Sequence, residues 1–149
     1  MAKKIIKHKV FAYITYSNRL LLFRHTDFPD AGIQVPAGTV KAGEDFHAAV
    51  LREAEEETGL KNLEIVSYLG KHLRDMADVG LNEIHHRHFY HLRCTNSPPE
   101  TWQHFEDDPS DGSPGPIRFE FFWCNLDRLP QLICEHGKLV HMLISSKSS

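Results

Sequence analysis

The chain has 149 residues, of which 41% are hydrophobic and 25% are charged, a balance typical of one globular domain with one core. Its net charge of −3 at pH 7 and its pI near 6.4 give no indication that nucleic acid or a membrane surface is the main partner. Three cysteines without C-x-x-C spacing, a start unlike a signal peptide and the lack of a stretch that could span a bilayer together predict a cytoplasmic protein.

The first half of the chain predicts a hairpin, a loop and a helix. Alternating β-branched and aromatic residues predict a strand from Ile5 to Tyr16, and Ser17-Asn18 makes a turn into a second strand, RLLLFRH. A loop, TDFPDAG, and a short extended piece, IQVPAGTV, follow. Asp45 is suited to be the N-cap of a helix from Phe46 to Thr58, and Gly59 is suited to end it.

The second half predicts three further strands and a second helix. The stretches LEIVSYLGKHL and NEIHHRHFYHLRC read as strands joined by a turn near residues 78–80. Residues 95–116 are rich in Pro, Gly, Ser and Asp, which predicts a long loop. IRFEFFWCNL returns to strand, and LPQLICEHGKLVHMLIS predicts an amphipathic terminal helix. Strands and two helices in this order predict a single α/β or α+β domain with a mixed sheet.

Four glutamates, Glu53, Glu55, Glu56 and Glu57, fall in the last turns of the first predicted helix. Carboxylates three and four residues apart repel on a helix, and this end of the helix dipole favours cations. At about 100° per residue, Glu53 and Glu57 lie beside the apolar stripe and Glu56 lies next to them, whereas Glu55 points away. Such a cluster suits a hard cation such as Mg²⁺, which commonly clamps phosphate oxygens. An isolated acidic run is more often a solvated helix face, so the metal prediction depends on the surrounding residues.

The stretch GTVKAGEDFHAAVLREAEEETGL, from Gly38 to Leu60, resembles the signature of the Nudix hydrolases, G-x5-E-x7-R-E-U-x-E-E-x-G-U, in which U is a bulky apolar residue. Every fixed position is present, and only the small Ala54 departs from the pattern. The flanking elements are also similar to that family's fold. The resemblance implies a Nudix-like α/β/α sandwich and a metal-dependent hydrolase. Such an enzyme cleaves the diphosphate linkage of a nucleoside diphosphate derivative by attack of water at phosphorus.

The resemblance also implies a role for each matching residue. Arg52 and Glu44 would belong to the catalytic cluster as the residues that orient it, since a planar guanidinium can brace two carboxylates. The cofactor would be Mg²⁺ or Mn²⁺. The implied metal ligands are Glu53, Glu56, Glu57 and the backbone carbonyl of Ala37.

The general base stays open between a glutamate of the motif and a carboxylate outside it. Glu53 is favoured within the motif. Glu120 is favoured as an auxiliary metal ligand, because the strand RFEFFW would hold it rigidly. The other candidates outside the motif are Glu100, Glu106, Asp107 and Asp108.

Substrate choice depends on residues outside the motif. The region DMAD lacks the Pro or Tyr that the resemblance would associate with enzymes for ADP-ribose or diadenosine polyphosphates, so both assignments lose support. Trp102 and Phe105 could stack on a nucleobase or anchor the long loop. The histidines of HHRHFYH have no accompanying Cys or carboxylate pattern that would complete a tetrahedral zinc site. They instead predict cross-strand polar pairs or contacts to substrate phosphate.

Two other functions stay open. A non-catalytic Nudix-fold module that binds or regulates a nucleotide would be expected to lose part of the glutamate cluster, which this chain keeps. An RNA 5′-end pyrophosphohydrolase would require a basic groove, which the net charge of −3 does not favour. The expected partner is therefore a nucleotide-derived small molecule, with no stable nucleic-acid complex and no membrane, and the chain is expected to be a monomer or a homodimer.

Overall fold

The computed structural model describes residues 3–106 and 117–143. This part of the chain forms one seven-stranded sheet, one long α-helix and a short helical stretch at residues 141–143. None of its helices is long and apolar enough to cross a membrane. The elements are β1 (Ile5–Tyr16), β2 (Arg19–His25), β3 (Ala37–Thr39), α1 (Phe46–Thr58), β4 (Leu63–Asp75), β5 (Glu83–Cys94), β6 (Thr101–Glu106) and β7 (Ile117–Asn125).

Both ends of α1 are fixed by local chemistry, as the sequence predicts. The Asp45 carboxylate accepts a hydrogen bond from the backbone N–H of Ala48, which satisfies one of the unpaired donors of the first turn. Gly59 has a left-handed conformation with φ of 80°, and its N–H donates to the Glu55 carbonyl. Glycine adopts this conformation without the steric cost of a Cβ, so the helix ends there.

The sheet is mixed, with the order β4-β5-β1-β2-β7-β6 and with β3 paired to β1. β1 and β5 are parallel, and the other paired strands are antiparallel. Ser17 and Asn18 connect β1 to β2 with φ angles of 49° and 69°, as a type I′ hairpin turn requires. The predicted α+β fold with a mixed sheet is confirmed.

The sheet splits between β1 and β2. Next to their turn the two strands pair at Thr15 with Leu20. Further along, residues 34–39 enter the gap, where Gln34 bridges to Phe23 of β2 and β3 pairs with residues 9–11 of β1. The two halves of the sheet therefore diverge around this inserted segment and leave a cleft beside it.

Each face of the sheet is buried, because neighbouring strand residues alternate between the two faces. α1 covers one face, and the segment after β7 covers the other. The buried residues on the α1 side include Val10, Leu21, Phe23, Tyr90, Leu92 and Phe121. The buried residues on the opposite side include Phe11, Tyr13, Leu22, Val35, Phe89 and Leu132.

The predicted terminal helix over residues 129–145 is wrong for residues 129–140, whereas residues 141–143 are α-helical. The segment forms a short 3-10 helix at Ile133–Glu135, and hydrogen bonds between residues three apart continue to Leu143. Cys134 and Glu135 have positive φ angles of 49° and 61°, which an α-helix cannot contain. The amphipathic pattern correctly indicates burial, because the segment still packs its leucines on the sheet.

The predicted loop over residues 95–116 is also wrong in part. Residues 101–106 form β6, which pairs with β7 along its whole length. Pro, Gly, Ser and Asp elsewhere in this stretch conceal the short alternating run TWQHFE. Residues 107–116, with Asp107 and Asp108, lie outside the described residues.

His136 joins the C-terminal segment to the sheet and should make stability depend on pH. Its Nδ1 accepts a hydrogen bond from the Val35 N–H at 3.2 Å, and burial lowers the pKa of His136 to about 3. Between the ordinary histidine pKa and pH 3 the unfolded chain therefore binds more protons, so stability falls as pH falls through this window.

We expect His136→Asn, which keeps an acceptor but does not titrate, to reduce the loss of unfolding free energy between pH 7 and pH 5 by about 2 kcal/mol. Urea denaturation at both pH values measures this difference. The exposed His141 provides the control variant, His141→Asn, which should leave the pH dependence unchanged. An unaltered pH dependence in His136→Asn would contradict the prediction.

Candidate functional site

Arg52 gathers the acidic residues of the predicted site. Its Nε donates to Glu44 Oε2 at 2.7 Å and its Nη2 donates to Glu44 Oε1 at 2.9 Å, so the guanidinium holds this carboxylate with two bonds. Its Nη1 donates to Glu53 at 2.7 Å and to Glu56 at 3.2 Å. The hydrogen bonds from Arg52 lower the pKa of Glu44 to about 2. One cation therefore partly neutralises three carboxylates.

Glu53 is pressed against the backbone of β3. Its residue is only 6% exposed, and this burial raises the pKa of its carboxyl. A Cβ added at Gly38 would lie 2.0 Å from Glu53 Oε2, much closer than two nonbonded atoms can approach. The motif glycine is therefore required by close approach of the helix side chain to the strand.

Glu57 is buried beside the same strand and accepts a hydrogen bond from the Ala37 N–H at 3.3 Å. The N–H and C=O of a residue in an antiparallel strand point to the same side. The carbonyl of Ala37 therefore also faces α1, as a metal ligand at this position would have to. Glu56 differs from its neighbours, because its side chain is 55% exposed.

A cleft of about 370 Å³ adjoins these residues, a size typical of small-molecule sites. Glu57, Ala37 and Gly38 form part of its wall, and the basic residues Lys9 and Arg87 form another part. Glu57 is thus the motif glutamate that lines this cleft, whereas Glu53 lies behind Gly38. Sequence analysis missed these two basic residues. Each is a charged residue within a predicted strand, and this unusual position could have identified it.

The acidic residues have the chemistry of a metal site but are not yet arranged as one. In residues 3–106 and 117–143, no three His, Cys, Asp or Glu side chains converge closely enough to hold a metal ion. Arg52 instead bonds both Glu53 and Glu56 through one nitrogen. An oxygen-only set suits a hard divalent cation, and the exposed Glu56 can turn away from Arg52. The donor set therefore fits the implied Mg²⁺ or Mn²⁺ after a side-chain rearrangement.

Among the described side chains, the structure does not bring Glu100 or Glu120 to this cluster. Glu120 lies between Phe119 and Phe121, whose side chains face α1, so strand alternation turns Glu120 to the opposite face. There it pairs with Arg24 at 3.7 Å. Its predicted role as an auxiliary metal ligand therefore has no support in this geometry. Glu100 pairs with Arg19 at 2.8 Å, and Glu106 is the last residue of β6.

Trp102 and Phe105 lie on opposite faces of β6, because they are three residues apart on a strand. The Trp102 indole N–H donates to the Thr58 carbonyl at 2.8 Å, and its ring stacks on Phe121 with centroids 5.1 Å apart. These contacts fasten β6 to the end of α1, which matches the anchoring role rather than base stacking. Phe105 is 52% exposed, and its contact with a nucleobase stays a prediction.

We expect Gly38→Ala to displace Glu53 or β3 and to lower the free energy of unfolding by about 1–3 kcal/mol. Gly137→Ala is the matched control, because its Cβ would meet Leu132 at an ordinary 3.5 Å, and its effect should stay within about 1 kcal/mol. Urea denaturation measures both. In a Glu53→Ala background the clash is absent, so Gly38→Ala should cost less there. An equal cost in both backgrounds would contradict the proposed contact.

Comparisons with known proteins agree with this architecture. The family model described as NUDIX domain matches residues 7–142. No significant match was found among curated proteins. The fold resembles that of a UDP-X diphosphatase (16% identity, 99% of this chain, 66% of that chain, TM-score 0.67) and of a MutT NUDIX hydrolase from Burkholderia pseudomallei (22%, 91%, 96%, 0.66). It also resembles a C. elegans Ap4A hydrolase (16%, 97%, 98%, 0.63).

Proposed function

The chain belongs to the NUDIX domain family, and we propose that it is a metal-dependent pyrophosphohydrolase that cleaves the diphosphate linkage of a nucleoside diphosphate derivative. Water attacks one phosphorus of the diphosphate in this reaction. The observation that carries the proposal is the burial of Glu53 and Glu57 against β3 at the edge of the cleft. Buried carboxylates cost free energy unless they are paired or bind a cation.

The residues that would hold Mg²⁺ or Mn²⁺ are Glu53, Glu56, Glu57 and the carbonyl of Ala37. When bound, the ion would neutralise phosphate oxygens and make the phosphorus more open to attack. Arg52 and Glu44 position the cluster, since the same guanidinium bonds both Glu44 and Glu53. Glu53 as the general base stays a prediction, and Glu57 is the alternative within the motif because it lines the cleft.

The group attached to the nucleoside diphosphate stays open. The UDP-X diphosphatase and the Ap4A hydrolase that share the fold are named for different nucleotide derivatives. They support a nucleotide-derived small molecule as the substrate and do not choose between such molecules. We also propose a cytoplasmic location, which the three free cysteines, Cys94, Cys124 and Cys134, support.

The glutamates should differ in their importance for catalysis. Incubation with Mg²⁺ and a panel of nucleoside diphosphate derivatives, followed by measurement of the released nucleotide, gives the rates. We expect Glu57→Gln and Glu53→Gln to lower kcat at least about a hundredfold, because each change removes a ligand or a base at the reacting centre. The matched control, Glu55→Gln, should change kcat less than about threefold, because a charge outside the site acts only through screened electrostatics.

If the wild type shows no turnover above Glu57→Gln on any substrate, the chain is a binding module and the proposed activity is wrong. If Glu55→Gln is as damaging as Glu57→Gln, the assignment of the metal-binding face of α1 is wrong.

Metal binding should also be visible in stability. Because carboxylates that repel one another bind a cation in the folded state, Mg²⁺ or Mn²⁺ should raise the melting temperature of the wild type. The double variant Glu56→Gln/Glu57→Gln should lose this gain, and calorimetric melts with and without metal measure it. An equal shift in both proteins would place the metal elsewhere.

A further inference from the structure

Arg87 is a buried cation that forms no salt bridge among the described residues and is attracted by Glu135 only from beyond salt-bridge distance. It is 2% exposed and lines the cleft. Its Nη1 donates to the Cys134 carbonyl at 2.6 Å, and its guanidinium lies 4.7 Å from the centroid of the Phe11 ring. Its Nε is buried and has no hydrogen-bond partner in the described part of the chain. A charge buried in this way costs free energy unless an opposite charge reaches it.

Lys9 places a second cation next to Arg87. The two residues are register partners in the parallel pair of β1 and β5, and both line the cleft. Lys9 Nζ donates to Thr39 Oγ1 at 2.6 Å, and within residues 3–106 and 117–143 neither cation forms an ion pair with a carboxylate. Like charges on adjacent strands repel. This repulsion is relieved if an anion enters the cleft between them.

Burial lowers the pKa of both residues, that of Arg87 to about 10. Arg87 therefore stays charged at neutral pH in spite of its surroundings. Its guanidinium contacts Met76 and Cys134, whereas Glu57 contacts Ala37. The basic and acidic parts of the cleft wall are thus held by different segments of the chain. While the diphosphate lies at the glutamates, Arg87 can therefore bind another group of the same substrate.

We propose that Arg87, assisted by Lys9, forms an anion subsite that binds a phosphate or carboxylate carried by the substrate in addition to its hydrolysed diphosphate. The planar guanidinium matches the paired oxygens of either group. The inference rests on the proposed function, because it concerns the part of the same substrate that lies beyond the reacting phosphorus. It narrows the substrate class to nucleoside diphosphate derivatives with a further negative charge.

Two pairs of compounds test the subsite and separate its two possible ligands. UDP-glucuronate and UDP-glucose differ by a carboxylate, and NADPH and NADH differ by a phosphate. For at least one pair we expect the wild type to have a kcat/KM about tenfold higher for the charged member, the size of one good charged contact. Arg87→Gln should reduce that ratio about tenfold, and Arg87→Lys, which keeps the charge but not the planar fork, should reduce it less.

The control is Arg118→Gln, which makes the same charge change at an arginine paired with Asp27 at 2.9 Å and should leave the ratio within about twofold. If Arg87 only ties Cys134 to β5, the Arg87→Gln variant will be less stable, but its ratio of kcat/KM values will equal that of the wild type. A wild-type ratio near one for both pairs, or a ratio unaffected by Arg87→Gln, overturns the subsite while the proposed hydrolysis stands.

Binding without metal gives an independent measurement. In EDTA, titration calorimetry with inorganic phosphate should detect binding to the wild type and about tenfold weaker binding to Arg87→Gln. If no compound is hydrolysed but phosphate binding depends on Arg87, the subsite stands and the proposed function fails. If Arg87→Gln does not fold, the same phosphate titration with Lys9→Gln and the wild-type ratios of kcat/KM test the subsite instead. Equal phosphate binding by wild type and a folded variant overturns the subsite.

Discussion

The close approach of α1 to β3 is the constraint on which the rest of the site depends. Two acidic side chains of the helix are buried at this contact, where an apolar interior would normally exclude them. They are tolerated because a backbone amide of β3 satisfies one and Arg52 satisfies the other. The contact exists only because Gly38 has no side chain. The position of α1 therefore depends on both Gly38 and Arg52, and the cleft forms beside this contact.

The fold distributes opposite charges along one cleft instead of pairing them across it. Arg52 neutralises the acidic cluster from behind, at the side away from the cleft. The basic residues have no comparable neutralisation within the described part of the chain. The split of the sheet makes this arrangement possible, because residues 34–39 keep β1 and β2 apart. A continuous sheet would have closed the space that a ligand needs.

Features fixed by neighbours in sequence could be predicted, and features fixed by distant contacts could not. The caps Asp45 and Gly59 set the helix bounds locally. The adjacency of Lys9 and Arg87 depends on a parallel pairing that no local pattern encodes. The terminal segment was misread because its apolar pattern suits both an α-helix and a chain of tighter turns, and the positive φ of Cys134 decides between them.

The parallel pairing of β1 with β5 also has a consequence for biosynthesis. β1 leaves the ribosome well before its parallel neighbour β5, which follows β2, β3, α1 and β4 in the chain. Until then one long edge of β1 exposes unpaired amides and carbonyls, which is the kind of surface that pairs wrongly with other chains. Non-local pairing also slows folding. The central strand of the sheet is therefore the segment that most needs protection while the protein is being made.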